Sequence, residues 1–215
     1  MAGDFEKKRR FLIEALIEQG VHDKDVLEAF DKIPRHFFVP KEFLDLAYHN
    51  IPLEIAHGQT ISQPYTIAVM LEALELKKGD KVLEVGSCSG YNAALTAYIV
   101  GEEGHVFTTE IIPELVAVSE NNLSKVELKN ITLIAADGSC GWPDNAPYDK
   151  IIVTAACPRI PLPLIQQLRE SGVLVAPVGP EFGQKLIKAV KKGNRLEQES
   201  LGDFMFVPLR GKCGY

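Results

Sequence analysis

The chain has 215 residues, 46% hydrophobic and 24% charged, with a formal net charge of −6 at neutral pH. That length allows one domain with a sizeable core, and the composition is that of a soluble globular protein. The acidic balance argues against a protein that grips a phosphate backbone, and no apolar run approaches the length of a membrane span.

The stretch from Met1 to Arg10 is polar and charged and lacks the apolar segment of a signal peptide. Phe5 to Gln19 reads as an amphipathic helix, with Phe11, Leu12, Ala15, Leu16 and Ile17 on its apolar side and Gly20 ending it. A second helix spans Asp23 to Lys32, with Val26, Leu27, Ala29, Phe30 and Ile33 facing inward, and Pro34 stops it. The adjacent aromatics Phe37 and Phe38 are expected to anchor a loop. Lys41 to Tyr48 reads as a short helix, and Asn50 to Ala56 as irregular or extended chain.

The segment from His57 to Tyr65 is rich in hydroxyl and amide groups between apolar neighbours. Thr60 and Ser62 fit two roles there, helix capping or hydroxyls beside a ligand. Thr66 to Leu76 follows as a helix.

From Lys81 the pattern alternates between strand and helix. Val82-Leu83-Glu84-Val85 is a short apolar run suited to a strand buried on both faces. Gly86-Ser87-Cys88-Ser89-Gly90 is a small-residue turn that lets backbone N–H groups approach a ligand, and a helix opens after it. Further strands are expected at Gly104 to Thr109, Ile131 to Ala136, Tyr148 to Ala155 and Gly172 to Val178. Helices are expected at Pro113 to Val126 and Leu162 to Glu170. Gln184 to Lys191 and Asp203 to Leu209 read as late strands, with a hairpin turn at Lys191-Lys192-Gly193-Asn194. The alternation implies an α/β, doubly wound, mostly parallel sheet. No linker or repeat interrupts the chain, so a single domain is expected over 1–215, with an N-terminal helical extension at 1–75 and a core at 76–215.

Ligands of such sheets bind beyond the carboxyl ends of the strands. Three consecutive strand ends carry suitable groups: the Gly86–Gly90 loop, Glu110 for ribose hydroxyls, and Asp137-Gly138 for an adenine amino group. Cys88 stands where a dinucleotide fingerprint wants its middle glycine, which disfavours a pyrophosphate and suits a nucleoside such as S-adenosylmethionine. Three other readings of the loop stay open: an ordinary strand-to-helix turn, an NAD site, and a G-x-C-x-G nucleophile elbow. Cys88, Cys140, Cys157 and Cys213 are scattered without a C-x-x-C pair, which fits reduced cytoplasmic thiols better than a disulfide framework. The histidines form no H-x-x-x-H pair, so no metal is expected.

Several segments carry a family resemblance. They are Arg35-His36-Phe37-Phe38-Val39-Pro40, Gly58-Gln59-Thr60-Ile61-Ser62-Gln63-Pro64, and Val82 to Ala94. Ala146-Pro147-Tyr148-Asp149, Val153-Thr154-Ala155-Ala156 and Phe206-Val207-Pro208-Leu209 continue the match. In these the chain resembles the protein-L-isoaspartate (D-aspartate) O-methyltransferase family of class I methyltransferases, over nearly its whole length. Cys88 departs from the family's usual glycine, and Cys157 from a usual small residue such as alanine.

The resemblance implies a seven-stranded Rossmann-like sheet. It implies methyl transfer from S-adenosyl-L-methionine to the free α-carboxylate of L-isoaspartyl residues in damaged proteins and peptides, with the β-carboxylate of D-aspartyl residues a further acceptor. A carboxylate is already ionised at neutral pH, so no general base is needed. Ser62 matches the family's active-site serine and is expected to orient the acceptor. Gln59, Thr60, Ile61 and Ser62 are expected to line the cofactor pocket, Gly86, Ser87, Ser89 and Gly90 to cradle the methionine portion, Glu110 to hold the ribose, and Asp137 with Gly138 to meet the adenine. Ile55, Ala56 and Val207 are expected along the peptide channel, with the substrate held through its main chain. A cytoplasmic monomer with no nucleic-acid or membrane partner is expected. The alternatives are a small-molecule methyltransferase and a non-catalytic adaptor of the same fold.

Overall fold

A computed structural model describes residues 2–193 and 195–215. Met1 and Asn194, the last residue of the expected hairpin turn, lie outside them. Two helices open the chain, α1 (Ala2–Glu18) and α2 (Lys24–Lys32). Leu12 and Leu16 are buried, while Phe11 remains exposed. The Asp23 carboxylate caps α2 by accepting the N–H groups of Asp25 and Val26. Short 3-10 turns follow at Arg35–Phe37 and Lys41–Leu46, the second in place of the expected helix.

Strands β1 (Leu53–Ala56) and β2 (Gln59–Ile61) then form an antiparallel hairpin where only extended or polar loop chain was expected. Its two-residue turn puts both His57 and Gly58 at positive φ, 54° and 68°. That is the twist a tight hairpin requires, supplied here by a histidine where asparagine or aspartate is the usual signal. Helix α3 (Pro64–Leu74) starts at its proline and leads to the main sheet.

The sheet contains β3 (Lys81–Val85), β4 (His105–Glu110), β5 (Ile131–Ala135), β6 (Tyr148–Val153), β7 (Leu168–Val178), β8 (Gln184–Lys192) and β9 (Arg195–Phe204), in the order β5-β4-β3-β6-β7-β8-β9. Pairs from β5 through β7 are parallel, and β8 is antiparallel to both its neighbours. Helices α4 (Tyr91–Val100), α5 (Pro113–Leu123) and α6 (Leu162–Gln167) make the crossovers. Alternate residues of β6 feed different cores. Ile152 joins the cluster built with α1 to α4, whereas Ile151 and Val153 join the one beneath α6. The N-terminal helices therefore share a core with one sheet face. Among the described residues no helix is long and apolar enough to cross a membrane.

Helix α6 and the last strand differ most from expectation. Helix α6 ends at Gln167, because Leu168 already pairs with Tyr148 of β6. Strand β9 occupies Arg195–Phe204, not Asp203 to Leu209. Its register sets Glu199 opposite Lys188 and Asp203 opposite Lys185, pairs that stabilise a strand with little apolar alternation. Beyond it, Pro208 forms a single bridge with Ala156.

The cysteine expectation also needs correction. Cys140 and Cys213 form a disulfide, while Cys88 and Cys157 are free. The bridged residues lie 73 apart in sequence, and the returning C-terminal segment brings their Cα atoms to 5.4 Å. Lys212 N–H donates to Asp137 Oδ2 at 2.9 Å and Cys213 N–H to Ser139 Oγ at 2.9 Å, so the tail is also fastened by hydrogen bonds.

Candidate active site

A cavity of about 860 Å³ opens at the carboxyl edge of β3 and β4, within the size range of about 300–1,000 Å³ typical of small-molecule sites. The chain leaves β3 through Gly86, whose φ of +100° already disfavours a side chain. A Cβ there would come within 2.5 Å of Thr154 Oγ1, which itself sits 2.7 Å from the Gly86 carbonyl and 3.0 Å from that of Val85. The N–H groups of Gly86 and Ser87 both donate to the Thr109 carbonyl, and Ser87 Oγ meets Ser119 Oγ at 2.6 Å. These contacts fix the loop against β4 and α5.

Glu110, at the end of β4, organises the far side. Its Oε2 accepts Cys88 N–H at 2.8 Å, and its Oε1 accepts the N–H groups of Ile111 and Ile112, both at 3.0 Å. A carboxylate offers about four acceptor positions, so about one remains toward the cavity. Among the described residues no cation pairs with it.

Cys88 adopts φ +55° inside the loop, and its thiol donates to the Thr60 carbonyl at 3.2 Å. Burial, with the Glu110 charge beside it, pushes this thiol up to about 12. The group stays protonated at neutral pH, which removes the hydrolase reading that needs a thiolate there.

Ser62 lies between β2 and α3 and lines the same cavity. Gln63 occupies the helix cap position without a side-chain bond, so neither Thr60 nor Ser62 serves as the cap. The Ser62 carbonyl accepts Arg35 Nη2–H at 2.9 Å.

The structure brings Gln59, Thr60, Ile61, Ser62, Gly86, Ser87, Ser89, Glu110, Gly138 and Val207 to one cavity. Four expected residues fall elsewhere. Ile55 and Ala56 lie on the hairpin but not on the cavity wall, because β2 and Pro52 take that position. Gly90 also lies off the wall; a Cβ on it would meet Ser119 Oγ at 2.9 Å and Leu123 Cγ at 3.0 Å, so it serves packing against α5. Asp137 is exposed and does not line the cavity, its two carboxylate oxygens accepting Ser139 N–H and Lys212 N–H. Gly138 and Ser139 face the cavity in its place.

Other lining residues went unread. Glu84 accepts Asn92 Nδ2–H at 2.7 Å and Thr108 Oγ1–H at 2.5 Å, and burial raises its carboxyl to about 7. An acid inside a doubly buried apolar run was the available signal. Phe182 and Met205 line the mouth although they are 83% and 78% exposed. Nothing in their local sequence marks them. Among the described residues no three or more His, Cys, Asp or Glu side chains converge as metal ligands.

A glycine-rich loop after the central strand, a carboxylate ending the next strand and a doubly wound sheet define the class I methyltransferase fold. A precorrin-6y C5,15-methyltransferase from Geobacter metallireducens, 19% identical with a TM-score of 0.51, shares that fold over 67% of this chain and 87% of its own. Residues 7–214 match the protein-L-isoaspartate(D-aspartate) O-methyltransferase family model, and the chain belongs to that family. Protein-L-isoaspartate O-methyltransferases are 45% identical in Dictyoglomus thermophilum, over 99% of this chain and 95% of that one, and 49% identical in Ignicoccus hospitalis, over 95% and 98%. A Plasmodium falciparum protein assigned that activity and solved with S-adenosyl-L-homocysteine superposes with a TM-score of 0.84 at 27% identity, over 94% of this chain and 98% of that one.

Proposed function

We propose that the chain transfers a methyl group from S-adenosyl-L-methionine to the free α-carboxylate of L-isoaspartyl residues in damaged proteins and peptides. The β-carboxylate of D-aspartyl residues is the second acceptor of this reading. The observation that carries it is the meeting of Ser62 with the Ser87–Ser89 loop and Glu110 around one cavity. When bound, S-adenosyl-L-methionine supplies the methyl group and a neutral thioether leaving group.

The residues divide the work by chemistry. Glu110 keeps an acceptor position for a ribose hydroxyl, the backbone at Gly138 and Ser139 takes the adenine edge, and the Ser87–Ser89 loop lies beside the methionine portion. Glu84, which pairs with no cation among the described residues, suits a ligand ammonium group. Ser62 orients the acceptor carboxylate by donating its hydroxyl proton as a hydrogen bond, and no proton is abstracted because the acceptor is already ionised. The half-enclosed wall of β2, α3 and Val207 keeps water from the reacting atoms.

In this reading 1–215 is a single methyltransferase domain, with 1–75 forming the helical extension and 76–215 the core. It works as a cytoplasmic monomer on isoaspartyl-containing proteins, without nucleic-acid or membrane partners. The test is transfer of labelled methyl from S-adenosyl-L-methionine to an isoaspartyl peptide, with its normal aspartyl twin as control. Labelling of the isoaspartyl peptide alone is expected. Equal labelling of both, or of neither, overturns the proposal, and labelling of small carboxylic acids instead points to the small-molecule alternative.

A further inference from the structure

Behind the Ser62 wall lies a charge the chemistry above does not use. Arg35 is completely buried in the 3-10 turn after Pro34. One of its nitrogens, Nη2, donates to the Ser62 carbonyl at 2.9 Å, and its guanidinium carbon lies 5.1 Å from the centroid of the Tyr91 ring. Nε and Nη1 are buried without a hydrogen-bond partner among the described residues. Among the described residues no carboxylate stands within ion-pair distance of it.

A cation placed this way carries a heavy desolvation cost that the single carbonyl and the Tyr91 ring offset only in part. Burial lowers it to about 10, which still leaves it charged at neutral pH. Ser62 and Tyr91 both line the cavity, so the guanidinium sits one side chain behind its wall. Low-dielectric surroundings let its field reach the cavity with little screening.

We infer that Arg35 is a positioning residue with an electrostatic role: it holds the Ser62 turn through the main-chain carbonyl and supplies the positive field that makes this side of the cavity select an anionic acceptor. The inference rests on the methyl-transfer reading above. It has a consequence a purely structural arginine would lack. The same field favours a carboxylate and opposes a sulfonium, so it weakens S-adenosyl-L-methionine relative to the uncharged thioether S-adenosyl-L-homocysteine.

Two substitutions separate charge from shape. Arg35→Gln removes the charge and keeps an N–H for the Ser62 carbonyl; Arg35→Lys keeps the charge. Titration calorimetry gives the ratio of Kd values for S-adenosyl-L-methionine and S-adenosyl-L-homocysteine without any peptide present. For Arg35→Gln that ratio is expected to fall by about threefold, while KM for the isoaspartyl peptide rises about tenfold with a smaller change in kcat. Arg35→Lys should keep both within about twofold of the unaltered protein. A ratio that is the same in all three proteins overturns the inference, as does an Arg35→Lys protein that loses peptide KM as fully as Arg35→Gln. If Arg35→Gln does not fold, Arg35→Lys decides alone: retained KM supports the charge, and a tenfold rise removes it. An unaltered protein that binds neither nucleoside overturns the methyl-transfer reading instead.

Discussion

The two sides of the cavity are built differently. On the side proposed for the cofactor, Glu110, Ser87 and Ser89 are buried; Ser87 N–H donates to the Thr109 carbonyl of β4, the Glu110 carbonyl accepts Ala136 N–H, and the Ser89 carbonyl accepts Asn122 Nδ2–H of α5. On the acceptor side, Phe182 and Met205 are exposed, and Ser62 is half-buried with its carbonyl tied to one arginine. A ligand that never varies can be met by groups the sheet holds rigidly. Polypeptide acceptors vary, and exposed apolar side chains with few fixed polar contacts accommodate that variety.

The largest effect should come from breaking the rigid side. Glu110→Ala removes the acceptor for three backbone N–H groups as well as the ribose contact proposed for it. Charge-assisted bonds contribute about 1.5–3 kcal/mol each, so binding of S-adenosyl-L-homocysteine should weaken by about a hundredfold or more in calorimetry. An affinity within fivefold would mean that the carboxylate serves the loop without meeting a ligand.

Glu84 tests the same side through pH. Its carboxyl is raised from 4.5 to about 7, chiefly by burial. The folded state thus holds a proton that the unfolded chain has released between those values. The raised group favours folding fully below about pH 4.5, and that contribution is lost as pH rises through about 7. A shift of this size corresponds to about 3 kcal/mol. Chemical denaturation of the ligand-free protein from pH 4.5 to 8 should show the decline, and Glu84→Gln should flatten it. An unchanged slope in that variant would assign the pH dependence to other groups.

The acceptor side should respond differently. Ser62→Ala removes one hydroxyl donor to a charged acceptor, worth about a tenfold or somewhat larger loss in kcat/KM for an isoaspartyl peptide. Affinity for S-adenosyl-L-homocysteine should stay within about threefold, because in the proposed reading that ligand is held by Glu110 and the Ser87–Ser89 loop across the cavity. Loss of both together would erase the distinction between the two sides.

That distinction also decided what could be read from the chain. Parallel strands buried on both faces leave apolar runs, so β3, β4 and β6 stood out, as did Glu110 at the end of β4. The hairpin β1–β2 did not, because its turn uses His57 where asparagine is the recognisable residue. Strand β9 is exposed and charged, and its partners on β8 hold it where periodicity does not. The Cys140–Cys213 bridge and the turning of Asp137 toward Lys212 both depend on the tail returning across 73 residues of chain. No local pattern records that return. Ile55 and Ala56, expected along the peptide channel, lie on β1, whose residues do not line this cavity.

The smallest expected effect lies where the two sides touch. Cys88 belongs to the rigid loop, yet its thiol donates to Thr60 on the hairpin. Restoring the family's usual glycine by Cys88→Gly does three opposing things. It relieves a non-glycine residue at φ +55°, worth about 1–2 kcal/mol, and it loosens the unfolded chain, which costs about 0.4–1 kcal/mol. It also deletes a weak sulfur donor bond. These should cancel to within about 1 kcal/mol in denaturant unfolding, and S-adenosyl-L-homocysteine affinity should move by less than about threefold, since Glu110 bonds the backbone N–H of residue 88 and not its side chain. Amide exchange in β2 is the sensitive readout. Faster exchange at Gln59 to Ile61, with the Gly86–Gly90 loop unchanged, would show the acceptor side relaxing independently of the cofactor side. Equal acceleration in both would show that the thiol couples them into one unit.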